Sequence, residues 1–388
     1  MKIALLTASY FPEYNGVSIR TEGIARGLSA LGHHVYILVP GMKLAREITD
    51  YAVVWRIPVS HSLFSTIFEK FTKFHPSRFF AFFKHLHHII QKEGINLVHT
   101  RQPLDFFLLG YFFRKKMPWA VEVHKFLSVS DYENGVIGAL RKNLLLFFER
   151  FFMNVSDVVV TMTASGKSTL QQHGITRPII VVPNASSLTR RRVSSPFPRR
   201  GYLLYVGNLR DVEGIDHLLR SFALIHKKLP DISCVVIGGG DVKKWQAYTK
   251  KLHLENSVPF LGEIPYQNLL PYYQHALLFV YPRKNVTYHK DIIGLKFYDA
   301  LRVGLPFVTS DVGEMGALIK KHRVGVVTRP GDDVDFAQNI IALLRQPQLL
   351  SRLKKNALRS SRLFSWKRSC IHLSTSYQRL VQQGKHHD

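Results

Sequence analysis

Short apolar runs rich in Val, Ile and Leu recur along the whole chain, separated mostly by helical stretches. The first half offers KIALLTA, HVYILVP, AVVWRI, INLVHT, AVEVH, DVVVTM and PIIVVP. The second restarts with YLLYVG, CVVIGGG, VPFLG, ALLFVYP, LPFVTS and VGVVT. Strands that are apolar throughout, alternating with helices, fold as parallel sheets covered on both faces. At 388 residues, a doubled pattern of this kind implies two α/β domains. Between the halves, NASSLTRRRVSSPFPRR carries five arginines, no acid and clustered Ser and Pro, and reads as a linker. The expected layout is therefore a domain over 1–183, a basic linker over 184–200 and a second domain over 201–362. A helical segment with Trp366 follows over 363–388; its docking place stays open, with the N-terminal domain the candidate. Two open α/β domains imply a central cleft facing the carboxyl ends of the strands, where ligands belong.

Two cysteines in 388 residues, Cys234 and Cys370, exclude a disulfide framework and fit a reducing compartment. The start MKIALLTASYFPEYNG reads as a first strand rather than a signal peptide, and every apolar run is cut by charges before membrane-spanning length. The expected location is cytoplasmic. The formal charge of +26, from 53 Lys and Arg against 27 Asp and Glu, calls for an anionic partner.

Several motifs carry chemistry or imitate it. YVGNLRDVEGIDHLL (205–219) has a strand, a glycine, a loop and an apolar-periodic helix, the layout of a phosphate-binding turn. Gly207, Asn208, Arg210, Glu213 and, from VVIGGG, Gly240 are its candidate binding residues. ASGKST (164–169) imitates a P-loop, but the glycine that motif needs five residues before Gly166 is Thr161; a helix start is the better reading. The acids of DVD (333–335) cap a helix, HLHH (85–88) lies in a helical aromatic stretch, and no His/Cys cluster has metal-ligand spacing. No metal and no cofactor are expected. FPEYNG brings Asn15 and Gly16 to the turn after the first strand, a backbone surface near a ligand. DIIGLKFYDALRVGLPFV sets Asp291 and Asp299 eight residues apart with Lys296 between. Roughly 12 Å of helix separates such acids, so they cannot share one proton or metal, but each can accept hydroxyl hydrogen bonds from an extended ligand.

The order of these pieces resembles family 4 of the retaining glycosyltransferases over nearly the whole chain. The carriers are FPEYNG…LSALGHHVYILVP, VEVHKF, SDVVVTMTASGKSTLQQHGI…IIVVPNA, YVGNL…EGIDHLL, VVIGGG and DIIGLKFYDALRVGLPFVTSDVGEMGALI. The resemblance implies the GT-B fold, two Rossmann-like parallel-sheet domains facing a cleft. A nucleotide-diphosphate-sugar donor is then held mainly by the C-terminal domain and the acceptor mainly by the N-terminal one. It implies His124 and Asp291 as catalytic residues at the donor sugar and Asp299 at the ribose hydroxyls. Lys296 would offer charge to the diphosphate, with Gly313 and Glu314 in the loop DVGEMGALI. The family usually has an arginine where Asn208 stands, a lysine at Glu213 and a glutamate at Ala317. Losing two cations removes transition-state charge stabilisation unless Lys296, Arg210 or backbone N–H groups near Gly313 replace it.

Residues 61–152 hold 17 of the 26 phenylalanines, interleaved with Lys, Arg and His. Phe64, Ile67, Phe68 and Phe71, then Phe79, Phe82, Phe83 and Leu86, recur at helical spacing. YFFRKKMPW and RKNLLLFFERFFMN set aromatic residues beside cations, which suits docking on an anionic membrane surface. No zinc-finger, ribonucleoprotein or basic-zipper pattern is present, so nucleic acid is not expected. The resulting expectation is a retaining, metal-independent glycosyltransferase at the inner face of the cytoplasmic membrane. It would act on a glycan or lipid-linked acceptor in envelope or polysaccharide synthesis. A catalytically impaired binding or scaffold protein of the same fold, and a nucleotide-sugar epimerase, remain open alternatives.

Overall fold

The computed structural model describes residues 1–13, 15–60, 62–124, 136–197 and 201–384. The chain divides into two compact units: residues 1–184 with 365–388, and residues 185–364. In the first, strands β1 (Lys2–Leu6), β2 (His34–Gly41), β3 (Ala45–Ile48), β4 (Val53–Pro58), β5 (Leu97–Arg101), β6 (Trp119–Glu122), β7 (Val158–Thr161) and β8 (Ile179–Val181) form one sheet. Its order is β3-β4-β2-β1-β5-β6-β7-β8. Ile3 lies opposite Val35 on β2 and Leu97 on β5. All pairs are parallel except β3 with β4. The sequence AREI of β3 gave no apolar signal because it is a mostly exposed edge. Its Glu47 pairs with Arg56 at 2.6 Å and its Arg46 with Glu93 at 2.9 Å, charges that blunt the edge against further pairing.

The helix Gly16–Ser29 carries Gly23 and Gly27 one turn apart, and these seat the short helix Trp366–Ser369. A Cβ on Gly23 would fall 2.0 Å from the Trp366 ring, so the close approach requires glycine there. Tyr377 of the last helix, Ile371–Gly384, shares a 2.8 Å hydrogen bond with His99 of β5.

The second unit has β9 (Tyr202–Val206), β10 (Ser233–Ile237), β11 (Leu278–Tyr281), β12 (Phe307–Ser310) and β13 (Gly325–Thr328), all parallel, in the order β10-β9-β11-β12-β13. VPFLG, expected as a strand, makes only an isolated bridge from Phe260 to Val236. Cys234 N still bonds Ser257 O at 2.9 Å, but Pro259 has no N–H to return a bond to Cys234, so no second bridge closes and no ladder is made. ASGKST begins the helix Ala164–Gln172, with Thr163 Oγ1 accepting from Gly166 N at 3.0 Å. The acids of DVD open the helix Asp333–Leu344, capped by Asp332.

The aromatic helices divide between core and surface. Phe82, Phe106, Phe107 and Leu86 are fully buried, whereas Phe64, Ile67, Phe80, Phe83, Phe112, Phe147 and Phe148 are exposed.

Candidate active site

In each unit the strand order reverses beside the first strand laid down, between β1 and β5 and between β9 and β11. Carboxyl ends of strands at such a point leave room for a ligand, and both units gather charge there.

In the second unit, β9 ends at Gly207, whose N–H bonds Ile237 O at 2.9 Å, and Leu209 N bonds Gly239 O at 2.8 Å. Gly238 and Gly240 both have positive φ, and a Cβ on Gly238 would lie 1.8 Å from Gly207 O. Over this junction stands Lys296, from the helix Leu295–Val303; a Cβ on Gly207 would be 2.4 Å from its Nζ. Lys296 Nζ donates to Tyr281 Oη at 3.0 Å, Tyr281 donates to Glu213 Oε2 at 2.8 Å, and Glu213 Oε1 accepts from Arg210 at 2.9 Å. Burial opposes the charge on Glu213, but Lys296, with the Tyr281 and Arg210 hydrogen bonds, holds its carboxyl below the ordinary range. Burial also lowers Lys296, against the pull of Glu213.

Arg283, buried behind this chain, donates to Ile292 O at 2.9 Å and to His289 Nδ1 at 2.9 Å. His289 Nε2 bonds Val212 O at 2.8 Å, which assigns the Nε2–H tautomer. Burial and Arg283 push that imidazole down to about 4, so it is neutral. Arg210, Arg283 and Lys296 thus sit with one acid, Glu213, an arrangement with an excess of positive charge. Lys296 supplies a point charge and Arg283 a planar fork.

Asn208 is exposed, and its carbonyl accepts from Tyr205 Oη at 2.9 Å. Asp291 ends the turn Thr287–Lys290 and is half-buried. Gly313, at φ +61°, opens the helix Gly313–His322 against that turn: a Cβ there would meet Lys290 O at 2.4 Å. Glu314 follows in the first helical turn. Asp299 is placed apart from the cation cluster's hydrogen bonds. It is buried, and its Oδ1 accepts from Ser186 Oγ at 2.6 Å and Tyr266 Oη at 2.7 Å. Burial raises its carboxyl to about 7 despite those two donors.

In the first unit, β6 carries Glu122 inward to a cluster of cations. Arg20 Nε donates to Glu122 Oε1 at 2.7 Å, His99 Nε2 lies 3.1 Å from Oε2, and Arg101 Nε is 3.8 Å from Oε1. Arg20 Nη1 continues to Asn184 Oδ1 at 2.7 Å. His124, two residues on, bonds Glu122 through Nε2 and Arg101 Nη2 through Nδ1, the latter at 3.0 Å. Both ring nitrogens are therefore engaged within the unit. Burial and Arg101 lower His124 to about 3, so the ring is neutral, donating to Glu122 and accepting from Arg101. Burial opposes ionisation of Glu122, yet Arg20 and Arg101 hold it well below the carboxylate range. Asn15 caps the helix Gly16–Ser29, accepting from Val17 N at 2.9 Å and Ser18 N at 3.0 Å, and a Cβ on Gly16 would meet nothing within 4 Å.

Arg20, His99, Arg101, Glu122, Arg283 and His289 were not singled out from sequence. The available signal was polarity at the carboxyl end of an apolar strand: His99 and Arg101 close INLVHTR, and Glu122 interrupts AVEVH. Only pairing across strands brings them together.

Two family models tile the chain: glycosyltransferase family 4 matches residues 14–190 and glycosyl transferases group 1 matches residues 187–360. Among relatives, the chain is 25% identical over 247 residues to a glycogen synthase of Mycobacterium tuberculosis, covering 62% of this chain and 58% of that one. It is 22% identical over 347 residues to an alpha-monoglucosyldiacylglycerol synthase of Streptococcus pneumoniae, covering 84% and 75%. The sucrose-phosphate synthase of Thermosynechococcus elongatus superposes with a TM-score of 0.78 at 20% identity, over 98% of this chain and 99% of that one. The Anabaena protein HepE in complex with UDP superposes at 0.67 and 16% identity over the full length of both. The shared fold is GT-B, with two Rossmann-like domains.

Proposed function

The chain belongs to the group 1 glycosyltransferases of glycosyltransferase family 4, and from that premise we propose that it moves a sugar, with retention, from a nucleotide-diphosphate sugar to a glycan or lipid-linked acceptor. The observation that carries this reading is Lys296, half-buried over the Gly207 turn with Arg283 and Arg210 beside it. These cations meet the donor's diphosphate in place of the substituted residues at Asn208 and Glu213, and no metal is needed. As the bond from anomeric carbon to diphosphate oxygen breaks, the acceptor hydroxyl adds on the same face and its proton passes to the leaving diphosphate. No enzyme nucleophile takes part. His124, held neutral and oriented by Glu122 and Arg101, is the catalytic residue assigned to the first unit, and Asp291 the one assigned to the second. The HepE complex, which contains UDP, supports a uridine nucleotide as the first donor to test. A melting-temperature screen with nucleoside-diphosphate sugars should show stabilisation by at least one of them; no response to any removes the donor reading.

The same enzyme docks on the inner face of the cytoplasmic membrane, toward a lipid-linked acceptor. Ring contacts run unbroken over four helices: Phe64–Phe68, Phe68–Phe74, Phe74–Phe79, Phe79–Phe83, Phe83–Phe112, Phe112–Tyr111 and Tyr111–Phe151, with centroids 5.5 to 6.4 Å apart. Lys70, Lys84, Arg114, Lys115 and Lys142 lie on the same helices or just beyond their ends. No described helix is long and apolar enough to cross a membrane. The alpha-monoglucosyldiacylglycerol synthase, by its name a maker of glycolipid, supports this assignment. Flotation with anionic and neutral vesicles tests it: recovery with anionic vesicles is expected, and recovery with neither overturns it.

Glu213, an acid inside the cation cluster, favours one second reading, a sugar-nucleotide-binding protein without turnover. Product analysis with donor and acceptor separates the two.

A further inference from the structure

A second concentration of positive charge lies in the second unit and shares no residue with the Lys296 cluster. It is a cavity of about 790 Å³ between the end of the helix Gly313–His322, the edge strand β13 and the helix Pro347–Ser361. Val326, Leu349, Leu353 and Leu363 line it, with Lys320, Lys321, Arg323, Arg352 and Arg359. No acid lines it. Lys320 pairs with Asp311 at 2.5 Å, but among the described residues Lys321, Arg323, Arg352 and Arg359 have no acidic partner. The sequence offers none nearby: from Phe336 to His387 it contains no Asp or Glu.

Basic residues at a helix C-terminus ordinarily offset the macrodipole, and that accounts for Lys320, Lys321 and Arg323. It does not account for Arg352 and Arg359, which sit within a different helix, two turns apart, and line the same cavity. Four like charges around one concavity repel one another until an anion enters. Leu349 and Leu353 add apolar lining beside these charges, and a less polar surrounding strengthens each charge contact. The volume is that of a small-molecule pocket rather than a flat docking face. Paired arginine forks match phosphate geometry.

We propose that this cavity is a second anion site, distinct from the sugar-transfer site, for a small ligand carrying two or more phosphate groups. Its occupant bridges the helix Pro347–Ser361 to the edge of the sheet.

The test is calorimetric titration of the full-length Lys296→Met protein with inorganic tripolyphosphate at fixed ionic strength, since that variant lacks the key cation of the other cluster. Binding is expected, and adding Arg352→Gln with Arg359→Gln should weaken it at least ten-fold. Both arginines are exposed, so the ligand-free melting temperature should not move, which excludes misfolding as the cause. Equal affinity with and without the two arginine substitutions overturns the proposal, as does no binding to the Lys296→Met protein. The donor reading is untouched by either result, because it is read from the melting-temperature screen of the protein with Lys296 intact.

Discussion

Glu122→Gln removes the acid that Arg20 and Arg101 share in the interior of the first unit. Arg20 is 1% exposed and Glu122 2%, at 2.7 Å, so neither charge can turn to water when its partner goes. Removing one member of such a pair costs about 3–5 kcal/mol, because the other charge is left buried without compensation. For a unit of this size 1 kcal/mol shifts the melting temperature by about 2–4 °C, so a drop of roughly 6–20 °C is expected. The pH dependence identifies the cause. The folded Glu122 carboxyl is held well below its ordinary value by Arg20 and Arg101, whereas the unfolded one titrates near about 4.3. Its contribution is therefore fully present above about pH 4.3 and is lost as pH falls through the depressed folded value. The stability gap between wild type and Glu122→Gln should be constant from pH 7 to 5 and narrow below about 4. Urea unfolding at several pH values measures it, and Arg20→Met completes a double-mutant cycle whose combined loss should fall short of the sum. A loss below about 0.5 kcal/mol, or a gap that persists unchanged in acid, would refute the assignment of Glu122 as counter-ion.

Lys296→Met should weaken nucleoside-diphosphate binding by roughly 10- to 100-fold, the loss of one charge-assisted hydrogen bond of about 1.5–3 kcal/mol; unchanged affinity in a titration removes Lys296 from the donor site. Asp299 titrates near 7 in the fold against 3.8 unperturbed, a raised value, so its contribution is present below pH 4 and is lost as pH rises through 7. Asn can keep the acceptor for Ser186 and Tyr266, so Asp299→Asn should abolish a decline of about 4 kcal/mol between pH 4 and 7; a decline that survives the substitution contradicts the burial effect. Gly214→Ala places a Cβ 1.9 Å from Pro282 O at φ +83°, and a stability loss of about 2–4 kcal/mol is expected from denaturant midpoints. A change under about 0.5 kcal/mol there would mean that the turn relaxes freely.

Most of the fold was legible because its signal is local. A strand buried on both faces must be apolar at every position, and twelve of the thirteen strands were visible as such runs. The thirteenth, Ala45–Ile48, is a mostly exposed edge held by ion pairs, and no hydrophobic period marks it. The surface phenylalanines illustrate the reverse ambiguity. Phe64 and Phe82 share one helical spacing in the sequence, yet Phe64 is 67% exposed and Phe82 0%, because only the packing of neighbouring helices decides which face is covered. The site was half legible for a related reason. Lys296, Gly207 and Glu213 sit in recognisable local motifs. Glu122, Arg101 and Arg20 form a cluster only after three separate segments meet at the ends of β5 and β6.

The substitutions that weaken the motif on paper also explain its geometry. A lysine at position 213 would stand among Arg210, Arg283 and Lys296, four cations with no acid in the hydrogen-bond chain. Glutamate there accepts from Tyr281 and Arg210 instead, and its field raises the proton affinity of Lys296 while burial lowers it. Without Glu213, the half-buried ammonium would lose an opposing charge and shed its proton more readily. Glu213 thus favours the charged form of Lys296, and in the proposed function an arriving diphosphate would take over that role. The acid in the loop is therefore the group that favours a charged Lys296 beside it, against the burial that opposes it.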